Sequence, residues 1–209
     1  ARQANAIILE DDYDGELRYS DNPLAAVQGL DKEGRVVYLG TFSKVLFPAL
    51  RLGYVVLPEV LLAPFIQAMQ LVDRGAPTLT QAAVADFIKE GHFERHLRRL
   101  RKEYGERRRV LVRALESNVG GLVQYSQVEA GLHVMLLLES GFDELTVVRE
   151  AAAVGVGVYP GHPYYVNYPA RPSILLGYSG LRRAEIEEGV TRLAVVLKKM
   201  SEGRQNIQY

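Results

Sequence analysis

The chain has 209 residues, 48% of them hydrophobic, enough for one substantial core or two small ones. Lys and Arg number 25 and Asp and Glu 25, so no global charge bias draws the chain to nucleic acid or to a membrane. Cysteine is absent, which excludes disulfides, thiolate nucleophiles and Cys-based metal sites; with no apolar run near the roughly 20 residues that cross a bilayer and no secretion-signal pattern, a soluble, cytoplasmic protein is expected.

Ala1 leads almost at once into Ala6-Ile7-Ile8-Leu9, an apolar run that reads as a strand buried on both faces of a parallel sheet. A buried strand so near the first residue suggests part of a longer protein. The acidic cluster Glu10-Asp11-Asp12-Tyr13-Asp14 follows, then a loop with Gly15, Asn22 and Pro23. Val36 to Leu39 and Leu52 to Leu57 read as two further strands, and Pro58 suits the first turn of a helix to about Asp73. Thr78 is placed to cap a helix over Leu79 to Glu90, closed by Gly91. A long helix from about Phe93 to Ser117 carries Leu97, Leu100, Tyr104, Leu111 and Leu115 on one stripe and ends at Gly120-Gly121. Beyond it, strands are expected over Leu122 to Tyr125, Leu132 to Leu138, Val156 to Tyr159 and Ser173 to Tyr178. Helices are expected over Glu144 to Ala153 and Arg182 to Met200, with a polar, frayed tail after Ser201. The fold class is α/β, followed by a small α+β domain, divided as 1–105 and 106–209.

Lys44 stands just past a strand, in Thr41-Phe42-Ser43-Lys44. Ligands bind outside the carboxyl ends of parallel strands, and a lysine shielded from water there becomes a nucleophile toward an aldehyde. Taken alone, the tetrapeptide fits a surface loop lysine better. Asp11 and Tyr13 lie two apart; if the strand continues, both side chains face one way. A carboxylate can hold a proton on a pyridine nitrogen and a phenol can donate to a ring oxygen, although an acidic turn that stops a strand reads the same. Arg51, seven residues after Lys44, offers a donor fork suited to phosphate, and Ser43 and Thr41 offer hydroxyls.

Together, Glu10-Asp11-Asp12-Tyr13-Asp14-Gly15-Glu16-Leu17-Arg18-Tyr19 and Tyr38-Leu39-Gly40-Thr41-Phe42-Ser43-Lys44, continuing into Leu46-Phe47-Pro48-Ala49-Leu50-Arg51-Leu52-Gly53-Tyr54, resemble the fold-type I aminotransferases. The closest resemblance is to the aminotransferase-like domain of the MocR/GabR branch of GntR-type bacterial transcriptional regulators. It covers nearly the whole chain. It implies pyridoxal 5'-phosphate (PLP) as cofactor, with Lys44 as the Schiff-base lysine, Asp11 at the pyridine nitrogen, Tyr13 at the ring hydroxyl and Arg51, with Thr41 and Ser43, at the phosphate. The family's glycine-rich phosphate loop and ring-stacking aromatic, and the regulators' DNA-binding winged helix, would lie upstream of Ala1. The family's carboxylate-gripping arginine has no counterpart in Ser173-Ile174-Leu175-Leu176-Gly177-Tyr178; Arg171 is the candidate, against an ordinary exposed arginine before Pro172.

Two other features are read as structural. The basic residues Arg95, Arg98, Arg99, Arg101, Lys102, Arg107, Arg108, Arg109 and Arg113 interleave with Glu94, Glu103, Glu106 and Glu116, the pattern of a solvated helix face rather than a DNA-tracking one. His92, His96, His133 and His162 show no metal spacing, and Tyr159, His162, Tyr164, Tyr165 and Tyr168 form a loop that lines a ligand mouth or covers an edge. The expected function is a regulator's domain sensing PLP and a small-molecule amine or amino acid, as a homodimer, with DNA reached only through an upstream domain. The alternatives are a catalytic aminotransferase, in which Lys44 shuttles a proton, and a dimerisation module without chemistry.

Overall fold

The computed structural model describes residues 1–19, 25–75, 77–128, 130–167 and 169–205. It divides into two compact units, Ala1–Arg101 and Lys102–Tyr209. The expected loop residues Asn22 and Pro23, and Tyr168, lie outside the described residues.

The first unit is built on strands β1 (Ile8–Asp12), β2 (Val36–Thr41) and β3 (Gly53–Val56), in the order β1-β2-β3. β1 and β2 are parallel, with Ile8 opposite Val36 and Asp12 opposite Gly40. β3 is antiparallel to β2, with Thr41 opposite Gly53. A short return segment dictates this, since a parallel return needs a crossover of a dozen residues or more. β1 begins two residues later than its apolar run and continues into the acidic cluster. It is also not buried on both faces: Ile8 is 40% and Leu9 69% exposed. Among the described residues β1 pairs with β2 alone, so no second strand covers its other side.

Glu10 caps the four-residue helix α1 (Val27–Leu30), its two carboxylate oxygens each accepting a backbone N–H, from Val27 and Gln28, at 2.8 Å. Helix α2 (Glu59–Asp73) takes Pro58 as its N-cap rather than in its first turn. Val60, Leu62, Phe65, Ile66, Met69, Leu71 and Val72 of α2 are all exposed, and a helix apolar on all sides is one that another surface covers. Helix α3 (Thr78–Lys89) starts at Thr78 itself, with Pro77 as N-cap and no side-chain cap, so the expected Thr78 cap is not formed. The proline provides the start: it donates no N–H and holds the chain in a non-helical bend. Gly91, at φ 72°, closes α3 as expected. Helix α4 (His92–Val119) carries residues of both units, and the expected division at 105/106 falls on it.

The second unit holds β4 (Val123–Tyr125), β5 (His133–Leu138), β6 (Tyr159–Pro160) and β7 (Ser173–Gly177), an antiparallel sheet in the order β4-β5-β7-β6. Burial alternates along β5, as it does in a sheet with one wet face. Val134, Leu136, Leu138, Ile174 and Leu176 of the sheet are buried. So are Leu111, Leu115 and Val119 of α4, Val147 and Ala151 of α5 (Glu144–Ala153), and Ile186, Val190, Leu193 and Leu197 of α6 (Arg183–Gln205). Two expectations are corrected here. The strand expected over Val156 to Tyr159 pairs only at Tyr159 and Pro160, because Gly155 (φ 77°) and Gly157 interrupt the ladder. Of the tail expected to fray after Ser201, the residues to Gln205 continue as helix and the rest lie outside the described residues.

Candidate functional site

In-register parallel pairing brings the carboxyl ends of β1 and β2 out side by side, with Asp12 opposite Gly40. Asp11 is opposite Leu39, so it lies on the face of Leu39 and Thr41, and Asp12 lies on the other. β1 ends at Asp12, and Tyr13 sits in the bend after it, half exposed. The expectation that Asp11 and Tyr13 point the same way through an extended strand therefore does not carry over; the bend sets Tyr13.

Past β2 the chain makes a tight loop. The Phe42 N–H donates to the Leu52 carbonyl at 3.0 Å, continuing the β2–β3 register, so Ser43 and Arg51 stand at the two stems. The Leu46 N–H donates to the Phe42 carbonyl at 2.8 Å, and the Ser43 N–H donates to Thr41 Oγ1 at 3.1 Å. Val45 is buried within this turn and Lys44 is exposed. The shielding from water expected of a reactive amine is thus not supplied by the described residues of the first unit. Arg51 follows a 3-10 turn (Pro48–Leu50) and is left-handed at φ 49°, a conformation costly for a residue with a side chain. Lys44, Thr41, Ser43, Arg51, Asp11 and Tyr13 all sit on or just past the carboxyl ends of β1 and β2, or at the stem of the loop between β2 and β3. This set fits pyridoxal phosphate: an amine for an aldehyde, a carboxylate and a phenol for the ring, and hydroxyls and a guanidinium for phosphate.

On the opposite face stands a network that the sequence did not reveal. The Tyr38 hydroxyl donates to Asp12 Oδ2 at 2.8 Å, and the Tyr54 hydroxyl donates to Glu16 Oε1 at 3.2 Å. The two rings are 6.0 Å apart between centroids. Burial first, then the bond to the Asp12 carboxylate, hold the Tyr38 phenol far above its ordinary range. Burial also raises Tyr54, and Glu16 adds to it, while the bond to Tyr38 opposes. The only advance signal was the tyrosine at each strand position, which reads equally as strand propensity.

In the second unit, Arg171 is tied down. Its Nε donates to the Leu138 carbonyl at 3.1 Å and its Nη1 to Gln124 Oε1 at 2.9 Å. Glu144, also unforeseen, is buried at the start of α5. Its Oε1 accepts the N–H groups of Gly161 and His162, and its Oε2 lies 2.7 Å from His162 Nδ1. It fixes the segment that carries the exposed Tyr164 and Tyr165. On α4, ion pairs join Arg98 to Glu94, Arg107 to Glu103 and Arg109 to Glu106 within the helix. Among the described residues no group of three or more His, Cys, Asp or Glu is placed to hold a metal ion, and no helix is long and apolar enough to cross a membrane.

The family model described as aminotransferase class I and II matches residues 1–193. The chain is 40% identical over 193 residues to the uncharacterized HTH-type transcriptional regulator YhdI of Bacillus subtilis (strain 168), covering 92% of this chain and 41% of that protein. It is 37% identical over 189 residues to the probable rhizopine catabolism regulatory protein MocR of Rhizobium meliloti, covering 90% of this chain and 38% of that one. Among solved structures, it matches the α-aminoadipate aminotransferase LysN of Thermus thermophilus, complexed with N-(5'-phosphopyridoxyl)-L-leucine, at TM-score 0.87 and 33% identity over 96% of this chain and 52% of that one. The chain thus spans about half or less of the length of the relatives it matches.

Proposed function

The chain belongs to the class I and II aminotransferase family, and from that premise we propose that it is part of the effector-sensing, aminotransferase-like domain of a MocR/GntR-type transcriptional regulator. The family implies pyridoxal phosphate. When bound, that cofactor supplies an aldehyde for an amine and a ring that accepts electron density. Lys44 is the residue that holds it covalently. Asp11 keeps the proton on the pyridine nitrogen, and Tyr13 donates to the ring oxygen. Arg51 receives the phosphate with a donor fork, and Thr41 and Ser43 add hydroxyls. Arg171 is the residue proposed to grip a ligand's carboxylate, which would then take the place of Gln124 or the Leu138 carbonyl as its acceptor. The observation that carries the reading is the in-register emergence of β1 and β2, which delivers Asp11 and the Lys44 loop at neighbouring strand ends.

The ligand is an amine or amino acid, the chemistry that exchanges with a lysine on an aldehyde. The regulator reading is supported by the two relatives at 40% and 37% identity, both regulatory proteins. It carries with it a cytoplasmic location, DNA binding through an upstream domain and a homodimer, for which the exposed apolar α2 offers a surface. A second reading, a working aminotransferase, is favoured by the match to LysN. There Lys44, once released, moves a proton at the Cα of the substrate.

Addition of pyridoxal phosphate to the full-length protein tests the site. A visible absorption band of lysine-linked cofactor is expected, lost in Lys44→Ala, and borohydride reduction with peptide mapping should place the label on Lys44. A folded full-length protein without such a band would overturn the assignment. Amino-donor turnover by that protein would favour the second reading over the first.

A further inference from the structure

The proposed cofactor residues Asp11 and Tyr13 flank Asp12, and it is Asp12 that the fold grips. Its carboxylate occupies a slot. Tyr38 donates to Oδ2 from one side, and a Cβ placed on Gly15 would meet the two carboxylate oxygens at 2.3 and 2.4 Å. Residue 15 must therefore lack a side chain for Asp12 to stay where it is. The same applies one layer on: a Cβ on Gly40 would meet the Tyr54 ring at 2.2 Å, so residue 40 lacks a side chain to let that ring lie across β2. Tyr54 reaches Glu16, whose backbone carbonyl accepts Arg101 Nε at 2.6 Å. Glu16 Oε2 is buried without a hydrogen-bond partner among the described residues. That arrangement costs stability, and the phenol on the other oxygen offsets it only in part.

Among the described residues β1 pairs with β2 alone and ends at Asp12, so side-chain contacts such as the Tyr38 bond add to the support of its last residues. Side chains alternate across the sheet, which puts the grip on Asp12 opposite the face that carries Asp11. We propose that Tyr38 and Tyr54 are positioning residues for the cofactor: by clamping Asp12 and Glu16 on one face of the sheet they hold Asp11 and Tyr13 in place on the turn beside it. This deepens the cofactor reading and rests on it. The Tyr38 phenol stays protonated across the working pH range, so the clamp donates throughout.

The test uses the full-length protein with pyridoxal phosphate as probe, in Tyr38→Phe and Tyr54→Phe, each of which keeps the ring and removes the donor. Two readouts are taken: affinity from titration of the visible band, and the pH at which that band interconverts, which depends on how Asp11 holds the pyridine proton. Loss of about tenfold in affinity in Tyr38→Phe, with a displaced pH midpoint, is expected, and a smaller change in the same direction in Tyr54→Phe. A merely structural role would lower the unfolding temperature and leave the pH midpoint alone. Folded variants with wild-type affinity and midpoint, beside a band that still depends on Lys44, would overturn the inference and spare the cofactor reading. A wild-type protein with no Lys44-dependent band would overturn both. The variants are read independently, so failure of one to fold leaves the other to decide.

Discussion

The carbonyl of Val45 accepts a hydrogen bond from His96 Nε2 at 2.7 Å, so the residue after Lys44 is held by helix α4 while Lys44 itself faces outward. A carbonyl only accepts, which places the imidazole hydrogen on Nε2. Val45 is 1% exposed and acts as the plug that keys the loop into the first unit.

From this, Val45→Ala should cost roughly 2 kcal/mol locally, through lost burial and the small cavity left behind. His96→Ala should cost about 1 kcal/mol through the lost hydrogen bond. Amide exchange at Leu46, whose N–H bonds to Phe42, should speed up in both. Unchanged exchange in both would show that neither the Val45 plug nor the bond from His96 holds the loop.

Arg51 presents opposed demands on backbone and side chain. At φ 49° it takes a conformation that glycine adopts without penalty. Arg51→Gly should therefore leave the apoprotein as stable or more so, by up to about 1 kcal/mol, while pyridoxal phosphate binds at least about tenfold more weakly. A thermal-shift measurement with and without cofactor separates the two. A loss of stability without cofactor would mean that the guanidinium, and not the ligand, explains the strain.

The order of strands and helices was legible because periodicity and punctuation are local. What was not legible depends on partners distant in sequence. The run Ala6 to Leu9 signals burial, yet pairing continues through Glu10 to Asp12 because β2 offers a partner that far. Asp12 reads as one more acid in a cluster until Tyr38 is beside it. Glu144 reads as an ordinary first-turn acid, because the amides it binds come 17 and 18 residues later. Lys44, Asp11, Tyr13 and Arg51 were candidates by residue type and took their roles from the family resemblance; the structure adds which strand ends carry them, and shows that Lys44 is exposed in this chain.

Acid should act on the turn before β2. Asp31 accepts N–H groups from Glu33, Arg35 and Val36; the bond from Glu33 first, opposed by burial and then reinforced by the bonds from Arg35 and Val36, lowers its pKa below the ordinary 3.8. A depressed folded-state pKa means that the contribution is present above the unfolded value and is lost as pH falls through the folded one. The unfolding temperature of the wild type should thus fall as pH drops below about 4. In Asp31→Asn it should start lower at neutral pH and fall less over that window. Parallel pH profiles for the two proteins would remove Asp31 from the account.

Glu144 makes the sharpest prediction in the second unit. An ionised carboxylate only accepts, so His162 Nδ1 carries the hydrogen facing Oε2, and both oxygens are satisfied by the segment they hold. Gly161 is confined from the other side as well: a Cβ there would meet Ser173 Oγ at 2.1 Å, and its N–H also reaches the Ser173 carbonyl at 2.8 Å. Glu144→Ala leaves buried amides without their main acceptor, at a cost of about 2 kcal/mol or more. Amide exchange at His162 should accelerate by roughly thirtyfold, and at Gly161 by less, because Ser173 remains. Glu144→Gln keeps one acceptor oxygen for the amides and should retain most of the protection, at the expense of the contact to the imidazole. Equal acceleration in the two variants would place the holding force in the charge of the carboxylate, and no acceleration in either would assign the segment's order to Ser173.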